Sequence, residues 1–126
     1  MNYETLVDEI SAEAGINKEI FVLNFENEKS IHKNDYQYFE KIISGNYYFT
    51  EYQYWENVGR WKCVTLFVEE NKIKEFVDIL NSIFQKHDAN LVDRDNPDNF
   101  QHQQDNFNVL VIKKENGKFR IDFAEN

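Results

Sequence analysis

The chain has 126 residues, 23 acidic against 14 basic side chains, a net charge of −9 and one cysteine, Cys63. That length fits a single domain over residues 1–126 with a core that needs no staples, and a lone cysteine excludes an internal disulfide. The acidic balance disfavours direct binding to nucleic acid or to anionic membranes, and no run of about 18 apolar residues offers a transmembrane helix.

The N-terminal stretch MNYETLVDEI is acidic and has no basic segment leading into an apolar one, so it does not read as a signal peptide. The expected location is cytoplasmic. Residues 1–60 hold 11 acids and 5 bases, so the negative charge leans toward the first half. Such a field attracts cationic partners and speeds their association.

In chain order, the spacing of Tyr3, Leu6, Val7, Ile10 and Ala14 predicts a helix over 3–14, stopped by Gly15, with Ile16 packing back on its last turn. EIFVLNF, residues 19–25, reads as a strand that is apolar on both faces. A polar connection follows. Asn34 or Asp35 is placed to cap a short helix over 36–44, with Phe39, Ile42 and Ile43 inward and Gly45 ending it.

Residues 46–61, NYYFTEYQYWENVGRW, place seven aromatic side chains in sixteen positions. With WKCVTLFVEE they predict an antiparallel hairpin joined through residues 56–60, where Gly59 is free to take a positive φ. A helix over 72–87 follows, with Asn71 as its cap and Ile73, Phe76, Val77, Leu80, Ile83 and Phe84 as its buried stripe. Residues 88–106 read as a long polar segment with a short strand possible at Asn90–Val92. The final FNVLVIKKENGKFRIDF predicts a second hairpin turning at Asn116–Gly117, with Phe119, Ile121 and Phe123 facing inward.

Hairpins mixed with helices define the expected class as α+β: a single mainly antiparallel sheet of four to five strands with about three helices packed on one face.

Parity along the aromatic hairpin separates its two faces. Val64, Leu66 and Val68 share the even face, which should meet the helices. If Glu56 lies opposite Arg60, then Tyr48, Thr50, Tyr52 and Tyr54 join that side. The odd face pairs Phe49 with Phe67, Glu51 with Thr65, Gln53 with Cys63, and Trp55 with Trp61. An odd face left uncovered presents two tryptophans around a glutamate, the kind of residues that anchor protein interfaces. In the opposing arrangement residues 88–106 fold over this face, with Phe100 as the plug.

Three further features bear on chemistry. The first helix carries the like-charge pairs Glu4–Asp8 and Glu9–Glu13 at i,i+4, a repulsion that a basic partner would relieve. The aspartates Asp93, Asp95 and Asp98 loosely resemble a calcium loop, but Pro97 takes its fifth position, Asp98 its required glycine and Gln104 its bidentate glutamate. They are read instead as acidic contact residues. His32, His87 and His102 have no metal-ligand spacing, and a base–nucleophile pair of His102 with Cys63 is weaker than inert packing of that cysteine.

No cofactor or metal is expected, and no enzymatic motif is present. The leading expectation is a small acidic inhibitor of the immunity or antitoxin kind. It would occlude the basic site of a nuclease-type toxin or another nucleic-acid enzyme, using Glu51, Trp55, Glu56, Trp61, Asp93, Asp95 and Asp98. The rivals are a ligand-binding or enzymatic domain with a pocket lined by Tyr48, Tyr52 and Tyr54, and a homo-oligomeric structural or phage accessory protein, for which a homodimer through the aromatic face is possible.

Overall fold

A computed structural model describes residues 1–18, 21, 31–33, 36–42, 49–57, 61–104, 106–113 and 116–125; for the strand residues between 31 and 63 it describes backbone pairing alone. The elements are α1 (Tyr3–Ala14), β1 (Ile31–Lys33), β2 (Tyr36–Ile42), β3 (Phe49–Asn57), β4 (Trp61–Glu69), α2 (Ile73–Lys86), β5 (Phe100–Gln104), β6 (Phe107–Lys113) and β7 (Lys118–Glu125). The seven strands form one sheet in the order β1-β2-β3-β4-β7-β6-β5, and every neighbouring pair is antiparallel. The class is α+β, as expected, with two α-helices and more strands than foreseen among the described residues.

The core follows from the alternation of side chains along the strands. Val64, Leu66 and Val68 of β4, Phe119, Ile121 and Phe123 of β7, and Phe107, Val109 and Val111 of β6 are all buried and belong to one cluster. The two helices close that cluster with the stripes their sequences predict: Leu6, Val7 and Ile10 from α1, and Ile73, Phe76, Val77, Leu80, Ile83 and Phe84 from α2. Burying large apolar side chains stabilises the fold by about 1.5–3 kcal/mol each. Phe21 adds an edge-on ring contact with Phe123 at 5.5 Å between centroids.

The helix ends are set locally. Asn2 caps α1 by accepting from the Thr5 amide at 2.8 Å, and Gly15 ends it at φ +66°, a conformation that carries a steric cost for other residues. Ile16 is buried against the core as expected. A 3-10 turn over Glu70–Lys72 precedes α2, whose N-cap is Lys72 with no side-chain cap, so Asn71 does not play the expected part. The Glu70 amide instead donates to the Gly117 carbonyl at 3.1 Å, tying this turn to the last hairpin.

Several expectations are corrected. Residues 36–42 form strand β2, not a helix. The helical spacing there rested on three positions, too few for a helix without strong packing, whereas Tyr36, Tyr38, Phe39 and Ile42 suit a strand with an aromatic neighbour in β3. Asn90–Val92 is not a strand: the Val92 amide and carbonyl are matched by the Asn81 side chain at 2.7 and 2.9 Å. Phe100–Gln104 is a strand although its sequence is mostly polar, because it lies at the sheet edge and buries only one side. The last hairpin closes its register at Lys113–Phe119, so its loop is longer than two residues, with Gly117 at φ +77°. The strand expected over residues 19–25, apart from Phe21, lies outside the described residues, as do Asn34, Asp35, Gly45, Tyr48, Gly59 and Arg60.

Phe84 joins α2 to the edge strand β5: it is fully buried, stacks on Phe100 at 6.1 Å between centroids and meets His102 at a tilt at 5.5 Å. Phe84→Ala is expected to cost about 3–5 kcal/mol, read as a lowered urea midpoint with an unchanged slope.

Candidate functional site

The face of β4, β7 and β6 turned away from the helices is built differently from the core. Thr65 and Phe67 of β4 are 1% and 8% exposed, yet Phe67 stands outside the main hydrophobic cluster. Thr65 Oγ1 donates to Asp122 Oδ1 at 2.7 Å, and Arg120 lies 3.2 Å from the other oxygen of the same carboxylate. Leu110 and Ile112 of β6 are half-buried on that side. Arg120 Nε and Asn108 Oδ1 are buried without a hydrogen-bond partner among the described residues. A charged, hydrogen-bonded floor of this kind costs desolvation and contributes little to stability unless it is fully satisfied.

Backbone register extends this face into the aromatic hairpin. One row across the sheet runs Ile42–Glu51–Phe67–Arg120–Ile112. The next runs Glu40–Gln53–Thr65–Asp122–Leu110, and a third Tyr38–Trp55–Cys63–Ala124–Asn108. Trp61 begins a fourth, opposite Asn57 and Tyr36 beyond it. Glu51, Trp55 and Trp61 thus occupy positions of the same parity as Thr65 and Phe67.

The pairing differs from expectation by two residues. Trp55 is opposite Cys63 and Trp61 opposite Asn57, so the two tryptophans are not a cross-strand pair. Glu56 is opposite Lys62, not Arg60, and stands at the other parity from Glu51. Because the slip is even, it leaves the division into faces intact along most of the ribbon. An irregularity between Phe49 and Glu51 shifts the far end, where Phe49 is opposite Val68 and not Phe67. An extra residue in one strand of this kind bends the strand and raises its twist.

The aspartates of the second predicted group lie elsewhere. Asp93, Asp95 and Asp98 belong to the connection from α2 to β5, and β4, β7 and β6 separate β5 from β3 in the sheet. This connection is fastened along α2 by the Asn81–Val92 pair, by Arg94 to Asp78 at 2.8 Å and by Lys74 to Asp95 at 3.5 Å. Asp93 accepts from the Asp95 amide, and Asp98 accepts from the Lys113 amide at 2.7 Å. Phe100 packs against the helix-side core, so this segment does not plug the opposite face. Cys63 and His102 fall in different rows and at opposite parity, which removes them as a base–nucleophile pair. Among the described residues no group of three His, Cys, Asp or Glu side chains can hold a metal ion.

The acids of α1 find bases inside the chain. Lys86 at the end of α2 approaches Glu13 at 3.1 Å and Glu9 at 3.6 Å, and His87 Nε2 lies 2.9 Å from Glu9. Lys18 reaches Asp8 at 2.6 Å. The hydrogen bond to Glu13 raises the pKa of Lys86 above the ordinary lysine value, as the bond to Asp8 does for Lys18. These pairings relieve most of the like-charge crowding on α1 without an outside partner.

No family model matches the chain, and no curated protein or solved structure matches it either.

Two outcomes are expected. Thr65→Val removes the hydroxyl that serves Asp122 and should cost about 1–3 kcal/mol in urea unfolding. A raised folded-state pKa stabilises below the unfolded value of 10.5 and stops doing so as the pH climbs through the folded value. The stability gap between the parent and Lys86→Gln should therefore be present at pH 7 and close as the pH rises beyond 10.5.

Proposed function

We propose that the protein is a small acidic binding protein that neutralises a cationic protein partner. In its most concrete form it is an immunity or antitoxin-type inhibitor of a basic nuclease-type toxin or another nucleic-acid enzyme. The observation that supports this most is the register of the aromatic hairpin. It puts Glu51, Trp55 and Trp61 at one parity, with Glu40 and Asp122 at the same parity in the row between those of Glu51 and Trp55, on a chain of net charge −9.

The mechanism is occlusion. Carboxylates take the places of substrate phosphates against the partner's Lys and Arg side chains, and the indoles anchor the dry centre of the contact. Charge of one sign over the hairpin raises the rate of encounter and suppresses partners of like charge. Glu56 adds to that field from the closing end of the hairpin, whereas Asp93, Asp95 and Asp98 serve only a partner wide enough to reach the far end of the sheet. Inhibition of this kind acts in the cytoplasm, before a toxin leaves its producer.

The test is capture of a basic partner on the immobilised protein, followed by titration of the identified partner at rising salt. Affinity should fall steeply between about 50 and 200 mM salt, and the partner's nuclease activity should fall in step with occupancy. The double variant Glu51→Lys, Trp55→Ala should lose binding with an unchanged circular dichroism spectrum. A partner bound with no salt dependence, or bound equally by the double variant, would overturn the proposal.

A further inference from the structure

Strand β5, Phe100–Gln104, ends the sheet on the side away from the aromatic hairpin. Its sequence, FQHQQ, carries no charged side chain, proline or glycine. Proteins usually guard a sheet edge with charge, proline, a bulge or a covering element, because the unpaired backbone groups are a template for another strand. The other edge, β1, is three residues long and carries Lys33. Among the described residues, no backbone or side-chain hydrogen bond reaches residues 101–104 from outside the sheet.

A second observation falls on the same five residues. His102 is buried with Nε2 lacking a hydrogen-bond partner, and Gln104 Oε1 is likewise buried and unpartnered. His102 sits between the rings of Phe84, at 5.5 Å, and Phe107, at 5.7 Å, so neither neighbour can satisfy it. Buried polar atoms without partners are costly, and two of them fall on this one short edge strand.

We propose that β5 pairs antiparallel with β5 of a second copy of this chain, across a two-fold axis at His102, to make one continuous sheet. The occupant follows from self-complementarity and charge. An isologous contact needs a strand that matches its own reverse, and two chains of net charge −9 meet at lowest cost along a neutral strand. The register follows from parity. Only pairing about His102 engages all five residues and keeps Phe100, His102 and Gln104 of both copies on the buried side. His102 then lies directly opposite His102 of the second copy. The exposed Gln101 meets Gln103 of the second copy, both amides able to donate and accept. The contact lies at the opposite end of the sheet from β3, so it leaves the proposed inhibitory face of each copy free.

Sedimentation velocity of the whole chain, without any partner, tests this over a concentration series reaching about 1 mM. Such a range suits a contact smaller than the ~1,000 Å² of a stable interface. The parent should shift from monomer to dimer. Gln101→Lys with Gln103→Lys, at two exposed positions, should remain monomeric at every concentration with an unchanged melting temperature. Glu51→Lys with Trp55→Ala should dimerise like the parent. A parent that stays monomeric throughout overturns the proposal. So does a dimer that survives the lysines, or one lost only with Trp55, which would put self-association on the aromatic hairpin. Loss of inhibitor activity would leave these readings unchanged, so the two proposals fail separately.

Discussion

The pairing of β4 with β7 is the constraint on which the rest of the structure depends. It joins the hairpin β3–β4 to the C-terminal hairpin β6–β7, which are separated in sequence by α2 and the connection to β5. Eight residue pairs from Lys62–Glu125 to Glu69–Lys118 hold this seam in one register. Because side chains alternate with period two, that register fixes which face of both hairpins is apolar. A slip of one residue would turn Phe119, Ile121 and Phe123 out and bring Arg120 and Asp122 under the helices. The cost of burying those charges against Phe76 and Leu80 exceeds anything the slipped pairing could recover. The same seam places the Thr65–Asp122 hydrogen bond, so core and candidate face are two sides of one pairing.

How much of this is legible in the sequence depends on how strongly each segment signals its buried side. Both helices are plain because their apolar stripes are long and their ends are marked, by Gly15 for α1 and by the turn into the polar connection for α2. β4, β6 and β7 are equally plain, since each alternates over seven or more residues. The division of the aromatic hairpin into two faces is legible for the same reason. Its register is not, because register is set where the turn closes, and Asn57–Trp61 and Glu56–Arg60 are closures the sequence does not distinguish. β2 and β5 are hidden for opposite reasons. β2 has apolar residues at both two- and three-residue intervals, so the choice falls to its neighbour β3. β5 has too few apolar residues for any periodicity, and its strand character comes from pairing with β6.

Charge is partly consumed by the fold. The acids of α1 are met by Lys86, His87 and Lys18, and Asp78, Asp95 and Glu70 each have a base within 3.5 Å. Exposed pairs of this sort contribute little to stability. Their larger effect is on the field: they cancel locally on the helix side and around the connection to β5. An excess of nine negative charges cannot be cancelled everywhere, so the parts of the surface poorest in bases dominate the far potential. The rows through Glu40 and Glu51 contain one base, Arg120, already engaged with Asp122.

The two ends of the sheet differ in the kind of group their sequences offer. Around β5 the want is for hydrogen bonds: neutral backbone edge, a buried imidazole nitrogen and a buried amide oxygen. An open backbone edge is satisfied at short range by another strand, and the proposed occupant is a second copy of the same chain. Across β3 and β4 the sequence offers carboxylates and indoles, whose complement under the proposed function is cationic. Hydrogen-bond complementarity is insensitive to salt where it is dry, and charge complementarity is not. A chain that used both would bind itself and its target by interactions that respond to different conditions. Doubling the chain through β5 would leave both copies' aromatic hairpins at the outer ends of one continuous sheet, so neither contact would compete for the other's residues.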